Sequence, residues 1–545
     1  MLSALGGVAY ALTTPPTNLT ILTWVGVAML AYALEEAPSA SPHPPAPSPA
    51  RGEGERIAIS LPLSPCGRGA GGEGSRWFEG SLRGLAFGFG ASLVAHRFVP
   101  AVIARFTPLP YAAGVFALLL LALAQGLPWA AGGMARSALA RAGVPRPIAF
   151  AIAMYAAAFV PAVFPWTLAD GITRWTWMVQ LADTIGARGV AALFALSAGL
   201  LAHAIRRARS RSTRGASYGS AALALAIPLV LAAYGAARMS AIDHRRDAAR
   251  SIRVGLIQPA VEATTRWDPV AAPTIVTRLA AQTRIAETHG ALVSVWPESA
   301  YPWVLARGAR ILPAGDGDPF QNGIHGPLVL GAITIDANSE RYNAVLGARS
   351  DGVFTSEYDK LHLLWFGEEV PFAGSWPWLR RTFVRGIGMV PGDHPVVIDL
   401  GLVKAGVLVC FEDILPDAGR EAASVHPNLL VNVSNDAWFT GSSESELHMR
   451  MSVLRAVETR RDLVRAVNLG TASFVDAAGR VRAEANETTP GSLVVNAALL
   501  DDPPTLYAAW GDWPMASLCG VLALASLVGK RRRLATIPRH DTSSS

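Results

Sequence analysis

Cysteine and charge are both scarce in this chain. Its three cysteines, Cys66, Cys410 and Cys519, lie in very different settings, and no metal-ligand spacing accompanies them. That argues against a disulfide framework or a metal cluster and leaves open a single working thiol. Charged residues make up only 16% of the 545 positions and hydrophobic residues 51%, with a mean hydropathy of +0.31. So apolar a chain is not an ordinary soluble enzyme; several membrane spans are expected, and the length allows two or more domains. The net charge of +6 and pI near 9.4 do not point to nucleic acid, because the basic residues cluster beside apolar segments instead of on an aromatic-interleaved face. The start, Met1-Leu2-Ser3-Ala4-Leu5-Gly6-Gly7, lacks a basic leader and a small-residue cleavage site, so the first apolar helix is expected to stay rather than be removed as a signal peptide.

What is present begins with apolar stretches at about 2–13, 19–34, 80–101, 110–131, 147–165, 187–205, 219–237 and 513–529, eight candidate spans of which the first and last are short. The expected organisation is two spans in 1–36, a disordered Pro/Gly/Ser-rich insertion at 37–76, five spans in 77–240, a soluble catalytic domain at 251–505, a last span at 511–530 and a basic tail at 531–545. Arg136, Arg141 and Arg146 fill one loop, Arg206, Arg207, Arg209, Arg211 and Arg214 another, and Lys530-Arg531-Arg532-Arg533 follows the last span. The positive-inside bias puts all three in the cytoplasm and the soluble domain outside, although Arg245, Arg246 and Arg250 then lie on the wrong side. Gly84 and Gly88, four residues apart, allow close helix packing.

From Ser251 the texture changes. Arg253–Gln258, Leu292–Trp296, Leu328–Ile335, Asn343–Ala348, Val403–Val409 and Leu429–Val433 read as strands, Ile275–His289 and Glu446–Asp462 as amphipathic helices, and Val464–Val475 as two more strands. Such alternation predicts an α/β domain with helices on the outer faces of its sheets and reactive side chains at strand ends. Three apolar runs do end in a reactive group: Val293–Glu298 in a carboxylate, Tyr358-Asp359-Lys360 in an amine, and Val407–Cys410 in a thiol. Taken alone, a thiol such as Cys410 is more often a small buried hydrophobe than a nucleophile. The trio is chemically sufficient for acyl transfer, with a carboxylate base activating the thiol and an ammonium stabilising a tetrahedral intermediate. His448 reads as a surface or capping residue, while Arg455, Glu458 and Arg465 read as structural.

Four ordered motifs carry a resemblance: Trp296-Pro297-Glu298; Lys360-Leu-His-Leu-Leu-Trp-Phe-Gly-Glu-Glu-Val-Pro-Phe372; Cys410-Phe411-Glu412; and Asn432-Val-Ser-Asn-Asp-Ala-Trp-Phe439. Together they resemble the nitrilase, or carbon–nitrogen hydrolase, superfamily. With flanking spans in this order, they resemble its membrane branch, the apolipoprotein N-acyltransferases. The resemblance implies an αββα-sandwich domain on the outer face of a membrane α-helical bundle of about eight spans, with a Glu–Lys–Cys triad on Glu298, Lys360 and Cys410. It implies supporting roles for Glu368 and Glu412 near the thiol, and a lipid contact for Trp267, whose plainer reading is packing.

The expected reaction is ping-pong transfer of an acyl chain from a phospholipid, phosphatidylethanolamine being typical, through a Cys410 thioester to the α-amine of a diacylated lipoprotein. No cofactor is needed, and the expected location is the bacterial inner membrane with the catalytic domain in the periplasm. Trp365, Phe411, Glu369 and Pro259-Ala260 depart from the family pattern and bear on donor preference and on the loop near 365–372. Two other readings are a membrane-tethered amidase or nitrilase that uses water, and a silent lipid-binding scaffold.

Overall fold

A computed structural model of the chain describes residues 1–35, 71–209, 214–315, 317–365, 367–369, 376, 388–486 and 488–535. The expected insertion falls outside these residues from 36 to 70, Cys66 included, as do residues 370–372 of the Lys360 segment and 536–545 of the tail.

The apolar part is helical, as a backbone in hydrocarbon must satisfy its own N–H and C=O groups. Its helices are α1 (Leu2–Ala11), α2 (Leu22–Leu34), α3 (Gly71–Ala95), α4 (Val99–Phe106), α5 (Tyr111–Ala142), α6 (Arg146–Ala157), α7 (Ala182–Ala208) and α8 (Arg214–Ala248), with Trp513–Ala535 after the α/β domain. Among the described residues, four helices are long and apolar enough to cross a membrane: α5, α7, the Gly215–Ala248 part of α8, and Trp513–Lys530. Phe78–Ala95 and Val99–Phe106, bent by 55°, make a fifth if counted as one span. The other three expected spans coincide with helices of only 10, 13 and 12 residues, α1, α2 and α6, so length and composition do not reach eight. Gly84 and Gly88 let α3 lie against α5: a Cβ at either would run into Trp129.

The α/β domain holds two sheets. Its strands are β1 (Arg250–Gln258), β2 (Val293–Val295), β3 (Val304–Ala306), β4 (Leu328–Ile335), β5 (Arg341–Ala348), β6 (Phe354–Asp359), β7 (Val397–Asp399), β8 (Lys404–Val409), β9 (Leu429–Asn435), β10 (Leu463–Asn468), β11 (Thr471–Val475), β12 (Val481–Asn486) and β13 (Gly491–Leu499). One sheet runs β13-β1-β2-β4-β5-β6 with β3 beside β4; the other runs β12-β11-β10-β9-β8-β7. Both have parallel centres, β1/β2/β4 and β8/β9/β10, and antiparallel edges.

The central strands are buried on both faces over most of their length, which is why they read as largely apolar runs instead of alternating ones. Val254, Leu256, Val295 and Val345 meet Val407, Val409, Val431 and Val464 between the sheets. Helix α9 (Ala272–Thr288) covers the first sheet through Ile275, Val276 and Leu279. Helices Pro416–Ser424 and Glu444–Thr459 cover the second through Ala418, Ala422, Val453 and Ala456. The layering is therefore αββα, as expected.

The domain is joined to the bundle twice over. Covalently, α8 ends at Ala248 and β1 begins at Arg250. Non-covalently, a polar seam runs along the far side of helix Glu444–Thr459. Arg460 pairs with Asp183 at 2.9 Å, Glu458 accepts from the Ala187 N–H at 2.8 Å, and Arg246 meets Asp462 through two bonds of 2.9 Å. Arg245 lies 3.7 Å from Asp502. Two of the three arginines that sat awkwardly with the charge bias, Arg245 and Arg246, are thus ion-pair partners of the domain.

Candidate active site

Each residue of the trio is delivered by a strand end. Glu298 sits in the loop after β2, pressed so close to β4 that a side chain at Gly331 would strike Pro297 O, Ser299 N and the Glu298 backbone; only glycine admits this approach. Lys360 directly follows β6, is 1% exposed, and donates its backbone N–H to Asn343 O at 2.9 Å. Cys410 directly follows β8 with φ of +54°, a left-handed turn that a side chain adopts only when its surroundings hold it there. The amide of Asn432 supplies that hold by donating to Leu408 O at 3.2 Å and Cys410 O at 3.0 Å.

Glu298, Lys360 and Glu368 converge. Lys360 Nζ lies 2.7 Å from Glu368 Oε2 and 3.7 Å from Glu298 Oε1. Asn343 Nδ2 donates to both carboxylates, at 2.7 Å each, and the Asn435 N–H donates to Glu298 Oε2 at 3.0 Å. Burial alone pushes the Lys360 ammonium down, but Glu368 and then Glu298 outweigh it and the group stays firmly protonated. Burial pushes the Glu298 carboxyl up, Lys360 opposes, and Glu368 adds to the rise. The Cys410 thiol belongs to the same electrostatic unit: burial raises it well above its ordinary value, Glu298 reinforces that, and Lys360 counters it.

Glu412 plays a different part from Glu368. It is fully buried, and its two oxygens accept from Val409 N at 2.7 Å, Leu361 N and His362 N at 2.9 Å, and the Tyr358 hydroxyl at 3.0 Å. It thereby stitches the Lys360 segment to the Cys410 turn, touching neither the ammonium nor the thiol by a hydrogen bond. Trp267 stands apart from the trio. It is half-exposed in a short turn after β1, with the Arg266 guanidinium 4.8 Å from its ring.

Two residues escaped the sequence reading. Asn343, the shared donor to both carboxylates, looked like an ordinary strand position; its only signal is an amide inside an apolar run. His448 is a correction: it is not a surface residue but is 6% exposed, with Nε2 2.6 Å from Asp413 Oδ1. Burial opposes its charge, but Asp413 prevails and lifts the imidazole to about 9. Arg465 reaches Asp413 from the other side at 2.8 Å, and Asp413 is held below the usual carboxylate range, His448 and Arg465 together overcoming its burial.

One face of Cys410 opens on a cavity shared by the two halves of the molecule. The bundle contributes His96, Phe98, Phe164 and Trp166; the α/β domain contributes Leu364, Phe411, Ile414, Phe439, Glu444, Leu447, His448 and Met451. Its walls are mostly aromatic and aliphatic. Larger clefts around Arg307 and His394, and around Arg253 and His289, lie away from the trio.

Residues 253–501 match the carbon–nitrogen hydrolase family. The chain is 32% identical over 391 residues to the apolipoprotein N-acyltransferase of Geobacter metallireducens, covering 70% of this chain and 73% of that one. It is 32% identical over 436 residues to the enzyme of that name from Methylococcus capsulatus, covering 76% and 79%. With the one from Shewanella oneidensis it shares 29% over 478 residues, covering 82% and 87%.

Proposed function

Because the chain belongs to the apolipoprotein N-acyltransferase family, we propose that it carries a fatty acyl chain from a phospholipid, through a thioester on Cys410, to the α-amine of a diacylated lipoprotein. In the first half-reaction Glu298 accepts the thiol proton as sulfur attacks the ester carbonyl, and Lys360 stabilises the oxyanion that forms. The Cys410–acyl bond forms, the ester C–O bond breaks, and the proton passes from Glu298 to the departing lysophospholipid. In the second, the amine attacks the thioester, Glu298 takes its proton, and the C–S bond breaks to return the thiolate, which is reprotonated. Glu368 orients Lys360, Glu412 fixes the turn that carries the thiol, and Trp267 contacts lipid at the rim.

The carrying observation is the shared cavity. A thiol with acid and ammonium on one side faces, on the other, a pocket walled by aromatic side chains from the segments that join α3 to α4 and α6 to α7. That is the environment an acyl chain needs, and it keeps water from the thioester. Phosphatidylethanolamine is the proposed donor. The arginine-rich loops support placing the domain on the periplasmic side of the inner membrane.

The test is incubation of purified protein with acyl-labelled phospholipid. Label on wild-type Cys410 that hydroxylamine removes, and its absence from Cys410→Ala, is the expected result; equal labelling of the two overturns the proposal. Since residues 253–501 match a hydrolase family, water is the competing acceptor. Adding a lipopeptide with a free α-amine separates the two, because acyl transfer gives an amide and hydrolysis gives free fatty acid.

A further inference from the structure

Besides Cys410, the cavity presents three ionisable side chains: His96 from the bend between α3 and α4, and Glu444 and His448 from helix Glu444–Thr459. His448 is committed to Asp413. Glu444 is not so engaged. Its backbone N–H donates to Ser442 Oγ at 3.2 Å, but its carboxylate Oε2 is sealed from solvent and has no hydrogen-bond partner. An orphaned carboxylate oxygen at such depth is costly to keep. Burial pushes this carboxyl up to about 8, Asp436 adds to the shift, and His448 and Arg465 oppose it. On the bundle side, His96 Nδ1 lies 3.2 Å from Ser92 O. That contact assigns the ring proton to Nδ1 and leaves Nε2 as an acceptor.

We infer that Glu444, together with His96, forms a seat for a primary ammonium group in the cavity that opens on Cys410. The inference rests on the acyl-transfer reading, because that reaction brings primary amines to this cavity. An ammonium offers three N–H donors and one positive charge; the seat offers an unpartnered Glu444 carboxyl oxygen, which an adjacent ammonium would hold ionised, and an imidazole nitrogen, within apolar walls that strengthen the pairing. Two sources share this chemistry, the α-ammonium of the lipoprotein acceptor and the ethanolamine headgroup of the donor.

Full-length protein in detergent–lipid micelles distinguishes them, comparing wild type with E444Q, E444D and H96A. Cys410 is loaded from phosphatidylglycerol, and KM and kcat are measured for transfer to a diacylated lipopeptide; loading from phosphatidylethanolamine is then compared with loading from phosphatidylglycerol. An acceptor seat raises the lipopeptide KM of E444Q about tenfold, the loss of roughly one charge-assisted hydrogen bond, with kcat far less affected and KM recovered in E444D. A donor seat instead lowers the ethanolamine-to-glycerol loading ratio by a similar factor. Either result supports the seat. E444Q with wild-type KM and wild-type ratio overturns it, and if E444Q does not fold, H96A decides by the same two readouts. Wild-type protein that never loads Cys410 overturns the acyl-transfer reading itself, and the seat with it.

Discussion

Two buried charge clusters flank the turn at Cys410, and they use similar residues to opposite effect. On one side Glu298 and Glu368 share a single Lys360, so carboxylates outnumber cations and the Glu298 carboxyl is pushed up. On the other, Asp413 is gripped by both Arg465 and His448, and its carboxyl is held down. The first cluster is short of positive charge and can take a proton; in the second, two cations hold one carboxylate and fix geometry. What separates a reactive cluster from a structural one here is the sign of its charge imbalance.

The sharpest break in this comparison comes from Glu298→Gln. Acyl-enzyme formation, followed by release of labelled lysophospholipid, falls by roughly 10²–10⁴, the usual contribution of a general base, while the thermal midpoint holds. Asp413→Ala does the reverse. It takes from the buried cations His448 and Arg465 their nearest carboxylate and destabilises the protein by about 3–5 kcal/mol, which thermal unfolding of the detergent-solubilised chain reports. If both variants lose activity at unchanged stability, the distinction fails.

The next effect is one of pH. His448 sits at about 9 in the folded chain, above its unfolded value of about 6.5. Its contribution to stability is therefore complete below about pH 6.5 and is lost as pH rises through 9. The unfolding midpoint falls across that window, and His448→Gln, which is less stable at pH 6, removes the slope. The smallest effect is Asn343→Ala. Removing the donor shared by Glu298 and Glu368 slows acylation about tenfold, in line with roughly one hydrogen bond to charged groups, and a rate equal to wild type would make Asn343 a bystander.

These two clusters also mark where the sequence is readable. Glu298 and Cys410 each end an apolar run that local pattern exposes, whereas Lys360, Glu368 and Glu412 were singled out by the motifs that resemble the family. Asn343 and His448 take their meaning from partners on other elements: Asn343 from carboxylates 45 and 25 residues away, His448 from Asp413, 35 residues before it. His448 looked exposed because its helix has a polar start, and only the docking of that helix between sheet and bundle buries it. Among the strands, the doubly buried central ones were visible, with β4 matching at both ends. The edge strands β3, β6, β7, β12 and β13 were not, since their pairing depends on neighbours elsewhere in the fold. The span count suffered similarly: α1, α2 and α6 are apolar but short, and hydropathy carries no information on how a helix of 10–13 residues sits in a bundle.

The passage from α8 into β1 takes a single residue, Ala249. Such a joint has no slack for a swinging motion, and the arginine clamps on Asp462 and Asp183 brace it from the side. The α/β domain is thus braced at one setting against the helical bundle, and the turn that carries the Cys410 sulfur is held with it. On the proposed reaction, both lipids would then have to reach that sulfur and leave it sideways, past His96 and Phe98 at the bundle wall of the cavity.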